Sequence, residues 1–122
     1  MANRSIIHLE IPAANRKVSA EFYDRLFGWS FQDMADPMPY TTFKAGNLGG
    51  GFPELSDMYK PGDILPYVES EDIDTDLRQV ERLGGKLLAP KMEIPGVGWF
   101  ALFSDPTGNR MALFTPNMQP AG

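Results

Sequence analysis

The stretch Ser5-Ile6-Ile7-His8-Leu9-Glu10-Ile11-Pro12 decides how the chain is read. Side chains of a strand alternate between two faces, so Ile7, Leu9 and Ile11 share one face while Ile6, His8 and Glu10 share the other. One face is wholly apolar; the other carries a titratable pair. Pro12-Ala13-Ala14 ends the strand, and Asn15 is placed to cap a helix running to about Phe27. Val18, Phe22 and Leu26 recur one turn apart and predict its buried stripe. Gly28 suits the left-handed turn that closes a helix. Beyond it, Trp29-Ser30-Phe31, Tyr40 to Ala45 and Leu48 to Phe52 read as three strands, the last two joined by Gly46-Asn47.

The same order then returns. After a loop from Glu54 to Gly62, Ile64 to Glu69 reads as a strand. Asp72 caps a second helix with the apolar stripe Ile73, Leu77, Val80 and Leu83, and Asp74 and Asp76 suit the dipole of its first turn. Gly84-Gly85 ends this helix, and Lys86-Leu87-Leu88 is the next strand. A long connection through Pro90 and Pro95-Gly96 follows. Val97 to Phe103 and Arg110 to Thr115 make a final hairpin around Asp105-Pro106-Thr107-Gly108-Asn109, and the tail from Pro116 is expected to fray. The two caps, Asn15 and Asp72, stand 57 positions apart, and the two stops, Gly28 and Gly84, stand 56 apart. Caps and stops that shift together make an internal repeat. The organisation predicted is one domain over residues 1–122, with a first module at about 4–53, a linker at about 54–62 and a second module at about 63–116.

Composition narrows the function. A chain of 122 residues, 43% apolar and 22% charged, can bury its own core. Its net charge of -5 and lack of a basic patch argue against nucleic acid and against anionic membrane surfaces. No apolar run approaches the length that spans a bilayer, and the N-terminus does not read as a signal peptide, so a cytoplasmic protein is expected. The absence of cysteine excludes disulfides, thiolate catalysis and cysteine-based zinc sites.

Three motifs in order carry a resemblance: His8 followed by Phe22-Tyr23 and Leu26-Phe27-Gly28; Asp72 through Gly84-Gly85; and Asp105-Pro106-Thr107-Gly108-Asn109 before a strand. Together they resemble the vicinal oxygen chelate superfamily, which includes glyoxalase I, extradiol dioxygenases, fosfomycin resistance enzymes and bleomycin resistance proteins. Phe27-Gly28-Trp29 and Gly49-Gly50-Gly51-Phe52 are most similar to a poorly characterised glyoxalase-like branch. The resemblance implies an α+β fold. Two βαβββ modules would form a U-shaped, mostly antiparallel sheet, with helices on the convex side and a ligand cleft on the concave side. It also implies a homodimer, since single chains of this size usually pair.

The same resemblance implies metal ligands on the first and last strands of each module. His8 falls at the first position. Leu65 and Ala112 fall at two others, and no residue from Gly46 to Pro53 is acidic or a histidine. A catalytic divalent ion needs about three protein ligands with positions left open, so His8 is read as a vestigial ligand position, no cofactor is predicted and a metal is not expected. Pro12 stands where glyoxalase I has a glutathione-binding arginine, and a single histidine cannot supply dioxygenase iron. His8 and Glu10 are left as acid–base candidates. His8, Glu10, Tyr40, Phe52, Tyr67 and Trp99 are the expected ligand-binding residues, the four aromatics forming a cleft wall. The glycine run fits either tight packing against a second backbone or a ligand lying flat on the strand. The expected function is a glyoxalase-like binder of an unidentified small organic molecule. The alternative is a lyase, isomerase or oxygenase-type enzyme using His8 and Glu10, with or without an unconventional divalent metal.

Overall fold

The computed structural model describes residues 4–35 and 39–117. Their element order is β1 (Ile6–Glu10), α1 (Arg16–Phe27), β2 (Ser30–Met34), β3 (Tyr40–Ala45), β4 (Leu48–Phe52), β5 (Leu65–Glu69), α2 (Ile73–Arg82), β6 (Lys86–Ile94), β7 (Gly98–Ser104) and β8 (Arg110–Pro116). This is βαβββ twice, an α+β arrangement. The chain divides into two compact units: Ile7–Pro66, and Tyr67–Gly122 together with Met1–Ile6. Among the described residues no helix is long and apolar enough to cross a membrane.

In the unit Ile7–Pro66 the strands lie in the order β2-β3-β4-β1. β2–β3 and β3–β4 are antiparallel; β1 runs parallel to β4, with His8 opposite Gly49 and Glu10 opposite Gly51. Asn15 caps α1 by accepting from the Val18 amide at 3.1 Å, and Gly28 closes it at φ 76°. The core is aromatic. Phe43 and Phe52 are buried with Ala13, and Leu9, Ile11, Ala20, Tyr23, Trp29 and Phe31 pack round them. Trp29 stacks on Phe43 at 5.0 Å and on Tyr23 at 5.4 Å between centroids.

One expectation fails here. Val18, Phe22 and Leu26 do not form the buried stripe of α1; they are 64%, 58% and 59% exposed, and no residue of this helix is buried. The helix turns Ala20 and Tyr23 to the sheet instead. The sheet's own rings already fill the space beneath it, so a small residue and one flat ring suffice for contact.

In the second unit the order is β5-β8-β7-β6. β5 runs parallel to β8, with Tyr67 opposite Ala112; the other pairs are antiparallel. Here the helix does carry the core: Ile73 and Leu77 are buried with Ala101 and Leu113, and Val68, Trp99 and Phe103 pack against them. Val80 is half-buried and Leu83 exposed, so only the first part of the expected stripe holds. β6 is longer than the expected Lys86-Leu87-Leu88. It continues through Pro90 to Ile94, with register shifts between Leu87 and Met92. Proline lacks an amide donor and is tolerated at such an irregularity on an end strand. Pro116 belongs to β8 and Asn117 still bonds Val97, so the expected fraying does not begin there; residues 118–122 lie outside the described ones.

Candidate functional site

The site begins with the alternation of β1. Leu9 and Ile11 pack into the core beneath α1, and this turns His8 and Glu10 to the opposite face of the sheet. Neighbouring strands add Gly49 and Gly51 of β4 and Thr42 and Tyr40 of β3 to that face, because paired residues share a side. The glycines explain the next step. A Cβ on Gly51 would fall on the Tyr40 ring, and one on Gly50 would strike the Phe43 ring and the Leu9 carbonyl. The run is therefore occupied by the chain's own rings, one on each side of the strand. At Gly50 the neighbouring backbone of β1 also comes close, as tight strand packing requires.

Lying across Gly51, Tyr40 reaches β1. Its hydroxyl donates to Glu10 Oε2 at 2.8 Å and meets His8 Nε2 at 2.9 Å. A phenol has one proton, and it goes to the carboxylate. The proton of the His8 contact then belongs to Nε2, a tautomer assigned from the bonding pattern. Glu10 is only 7% exposed. Burial lowers the His8 pKa to about 4, because the charged imidazolium is poorly solvated there. Burial, and then the adjacent Glu10 charge, push the Tyr40 hydroxyl far above its ordinary value. Near neutral pH the imidazole and the phenol are both neutral, and the two are linked with Glu10 in a line.

Not every expected residue joins this face. Phe52 is fully buried in the α1 core, and Trp99 packs in the α2 core with Lys91 5.0 Å over its ring. Neither forms the expected cleft wall, because their packing places them on the helix-facing side. Tyr67 does stand on the side away from the helix, with Ala112, Leu102 and Phe100 in adjoining rows, its ring 6.5 Å from Phe100. Leu65 and Ala112 are fully buried apolar residues. Among the described residues no group of three His, Asp or Glu could hold a metal ion. His8, the expected vestigial ligand position, is bonded to Tyr40.

Two polar groupings went unread in the sequence. The bridging role of the Tyr40 hydroxyl is one of them. The signal for it was present, since two buried polar side chains on one strand face need partners. In the other unit, Arg4 grips Asp76 with two bonds of 2.8 and 2.9 Å, and the Ser70 hydroxyl donates to the same carboxylate at 2.6 Å. Burial works against the Asp76 charge, but the bonds from Arg4 and Ser70 outweigh it and hold the carboxyl below its ordinary range. Asp76 stands in the first turn of α2 as expected, and it is also a tie to the N-terminal segment. Asp72 does cap α2, accepting from the Thr75 amide at 3.1 Å. Asp105 orders its turn by accepting three backbone amides at 2.9 Å.

Comparison with known proteins agrees with this architecture. The glyoxalase-like domain family matches residues 8–114. The chain belongs to that family. Anthracycline biosynthesis protein DnrV of Streptomyces peucetius is 32% identical over 113 residues, which cover 79% of this chain and 41% of the relative. This glyoxalase-like chain therefore spans about two fifths of the length of that relative. A glyoxylase-like domain-containing protein of Didymella fabae is 30% identical over 115 residues, covering 88% of this chain and 90% of the relative. Methylmalonyl-CoA epimerase of Streptomyces coelicolor superposes with a TM-score of 0.68 at 13% identity, over 97% of this chain and 100% of the other. A glyoxalase/bleomycin resistance protein/dioxygenase superfamily member from Vibrio splendidus does so at 0.64 and 11%, over 88% and 95%. At such identities these structures share the fold.

Proposed function

We propose that this glyoxalase-like chain binds a small organic molecule on the strand face carrying His8, Tyr40 and Glu10, and works as a homodimer. One observation carries the reading: a buried carboxyl group, Glu10, and the half-buried His8 and Tyr40 are bonded to one another on the face that α1 leaves uncovered. Burying such groups costs free energy that packing alone does not require. A pre-arranged set of polar groups is how a mostly apolar site fixes a ligand's orientation. A relative named for anthracycline biosynthesis makes planar aromatic polyketides the first compounds to try, and the chain's charge of -5 accommodates a basic one.

A second reading is favoured by the unbroken line from His8 through Tyr40 to Glu10, which can pass a proton. In it the same groups do acid–base work on a bound substrate, in a lyase, isomerase or oxygenase-type reaction. Titration calorimetry of the wild type, His8→Ala and Tyr40→Phe against planar aromatic compounds tests the binding proposal. Saturable binding by the wild type, weakened at least tenfold in both variants, is the expected result. Equal affinity in all three would remove this face from the binding site. Turnover of a bound compound, abolished in His8→Ala with folding intact, would favour the second reading.

A further inference from the structure

Register places few charges on the strand face that carries His8. Across β1 to β4 only Glu10 and Lys44 bring one to it, since Asp33 falls on the other side with Thr41. Glu10 is 7% exposed and engaged by Tyr40. Lys44 is exposed, and its ammonium makes no ion pair or hydrogen bond among the described residues. Its ladder partners are Ser30 and Gly49, and His8 lies on the far side of Gly49. We propose that Lys44 and the open strand position at Gly49 form an anion subsite, and that the molecule bound on this face carries a carboxylate. The inference rests on the binding reading above and names the chemistry of the ligand.

Three features point to an anion. The first is room. A Cβ on Gly50 or Gly51 would strike the chain's own rings, but one on Gly49 would meet only the Phe43 carbonyl, at 3.9 Å. The layer of side chains is therefore open between Lys44 and His8, across two strand spacings of about 5 Å each. A carboxylate fits that gap. The second is charge. His8 is neutral near pH 7, so a group seated over Gly49 meets one full charge, that of Lys44. The net charge of -5 belongs to the whole chain; on this face the acid is withdrawn and the base is presented. A cation placed there would give up water beside a like charge. The third is setting. Gly49 and His8 are half-buried, while Lys44 stands exposed beside them. An ammonium on a flexible stem can close from water onto an anion held on such a floor, where the pair is screened less than in full solvent.

Titration calorimetry at pH 7 with an anthracene carboxylate and the matching carboxamide tests the proposal, since the two probes share a ring system and differ in charge. Circular dichroism and thermal melting check folding. The wild type should bind the carboxylate about fivefold tighter than the amide or better, the range of a charge-assisted bond. That preference should shrink with added salt and vanish in Lys44→Gln, whose affinity for the amide stays within about twofold of the wild type. Gly49→Val has space for its Cβ, keeps the fold and should weaken the carboxylate about tenfold by filling the gap. Equal affinity of the wild type for both probes, a preference retained in Lys44→Gln, or unchanged affinity in Gly49→Val would overturn the anion subsite. Binding on this face would still stand if His8→Ala weakened both probes. Failure of the wild type to bind either probe would overturn the subsite and the binding reading together.

Discussion

The two modules share one plan of elements and distribute their burial in opposite ways. In the first, aromatic residues of the sheet supply the core, α1 contributes no buried residue, and the face away from the helix carries His8, Tyr40 and Glu10 over a glycine strand. In the second, α2 buries Ile73 and Leu77, and the corresponding face carries Tyr67, Ala112, Leu102 and Phe100. Equivalent parallel ladders make the contrast plain: Glu10 pairs with Gly51 in one, Tyr67 with Ala112 in the other. The plan demands only alternation in the strands and a cap on each helix. Which element fills the core, and what the uncovered face offers a ligand, are set module by module.

The helices give the sharpest test of that contrast. Leu77→Ala should cost about 2–5 kcal/mol, the usual range for emptying a core site. Phe22→Ala should change stability by less than about 0.5 kcal/mol, as exposed positions do. Urea unfolding at concentrations where the chain is monomeric measures both, and equal costs would end the distinction between the helices.

The pH dependence of stability probes the polar face. His8 titrates at about 4 when folded, against 6.5 ordinarily. Between those values the unfolded chain takes up the proton and the folded chain does not. The contribution is therefore complete above about pH 6.5 and is lost as the pH falls toward 4, at no more than about 1.4 kcal/mol per pH unit. Unfolding free energies from pH 7 to 4, for the wild type and His8→Asn, should differ in slope over that window; identical slopes would mean that the imidazole is not desolvated.

Tyr40→Phe removes the hydroxyl between Glu10 and His8 and keeps the ring on Gly51. Depriving the buried Glu10 of this bond should cost about 1–3 kcal/mol, read by urea unfolding at pH 7. A neutral result would make the line of bonds dispensable to the fold.

The smallest effect belongs to the second unit. Arg4→Ala loses the two-pronged bond to Asp76, but Arg4 is largely exposed, so a loss of about 0.5–1 kcal/mol is expected. It should shrink in high salt, where the Tyr40→Phe cost should not. A salt-independent loss at Arg4 would place that tie in a drier setting than its exposure indicates.

Much of the fold was legible because it follows local rules. The period-two run through Ile7, Leu9 and Ile11, the caps at Asn15 and Asp72 and the stop at Gly28 all act within a few residues, and each holds. The α1 stripe failed for the opposite reason. Periodicity shows that Val18, Phe22 and Leu26 lie on one side of the helix; it does not show which side meets the sheet. Phe52 and Trp99 failed on strand register, where one position decides the face. Pro90 hid a strand because its tolerance depends on lying in an irregular end strand.

By itself the sequence determined the two modules, their caps and turns, and the alternation that turns His8 and Glu10 away from the helix. These are properties of neighbours along the chain. Only the tertiary structure decided that Tyr40 lies over Gly51 to join His8 and Glu10, and that Phe43 occupies the other side of the glycine strand at Gly50. It also decided that α1 keeps its apolar stripe in solvent. Each of these depends on which side chains share a volume; Tyr40 meets His8 and Glu10 from 32 and 30 positions away, a separation that only packing brings together.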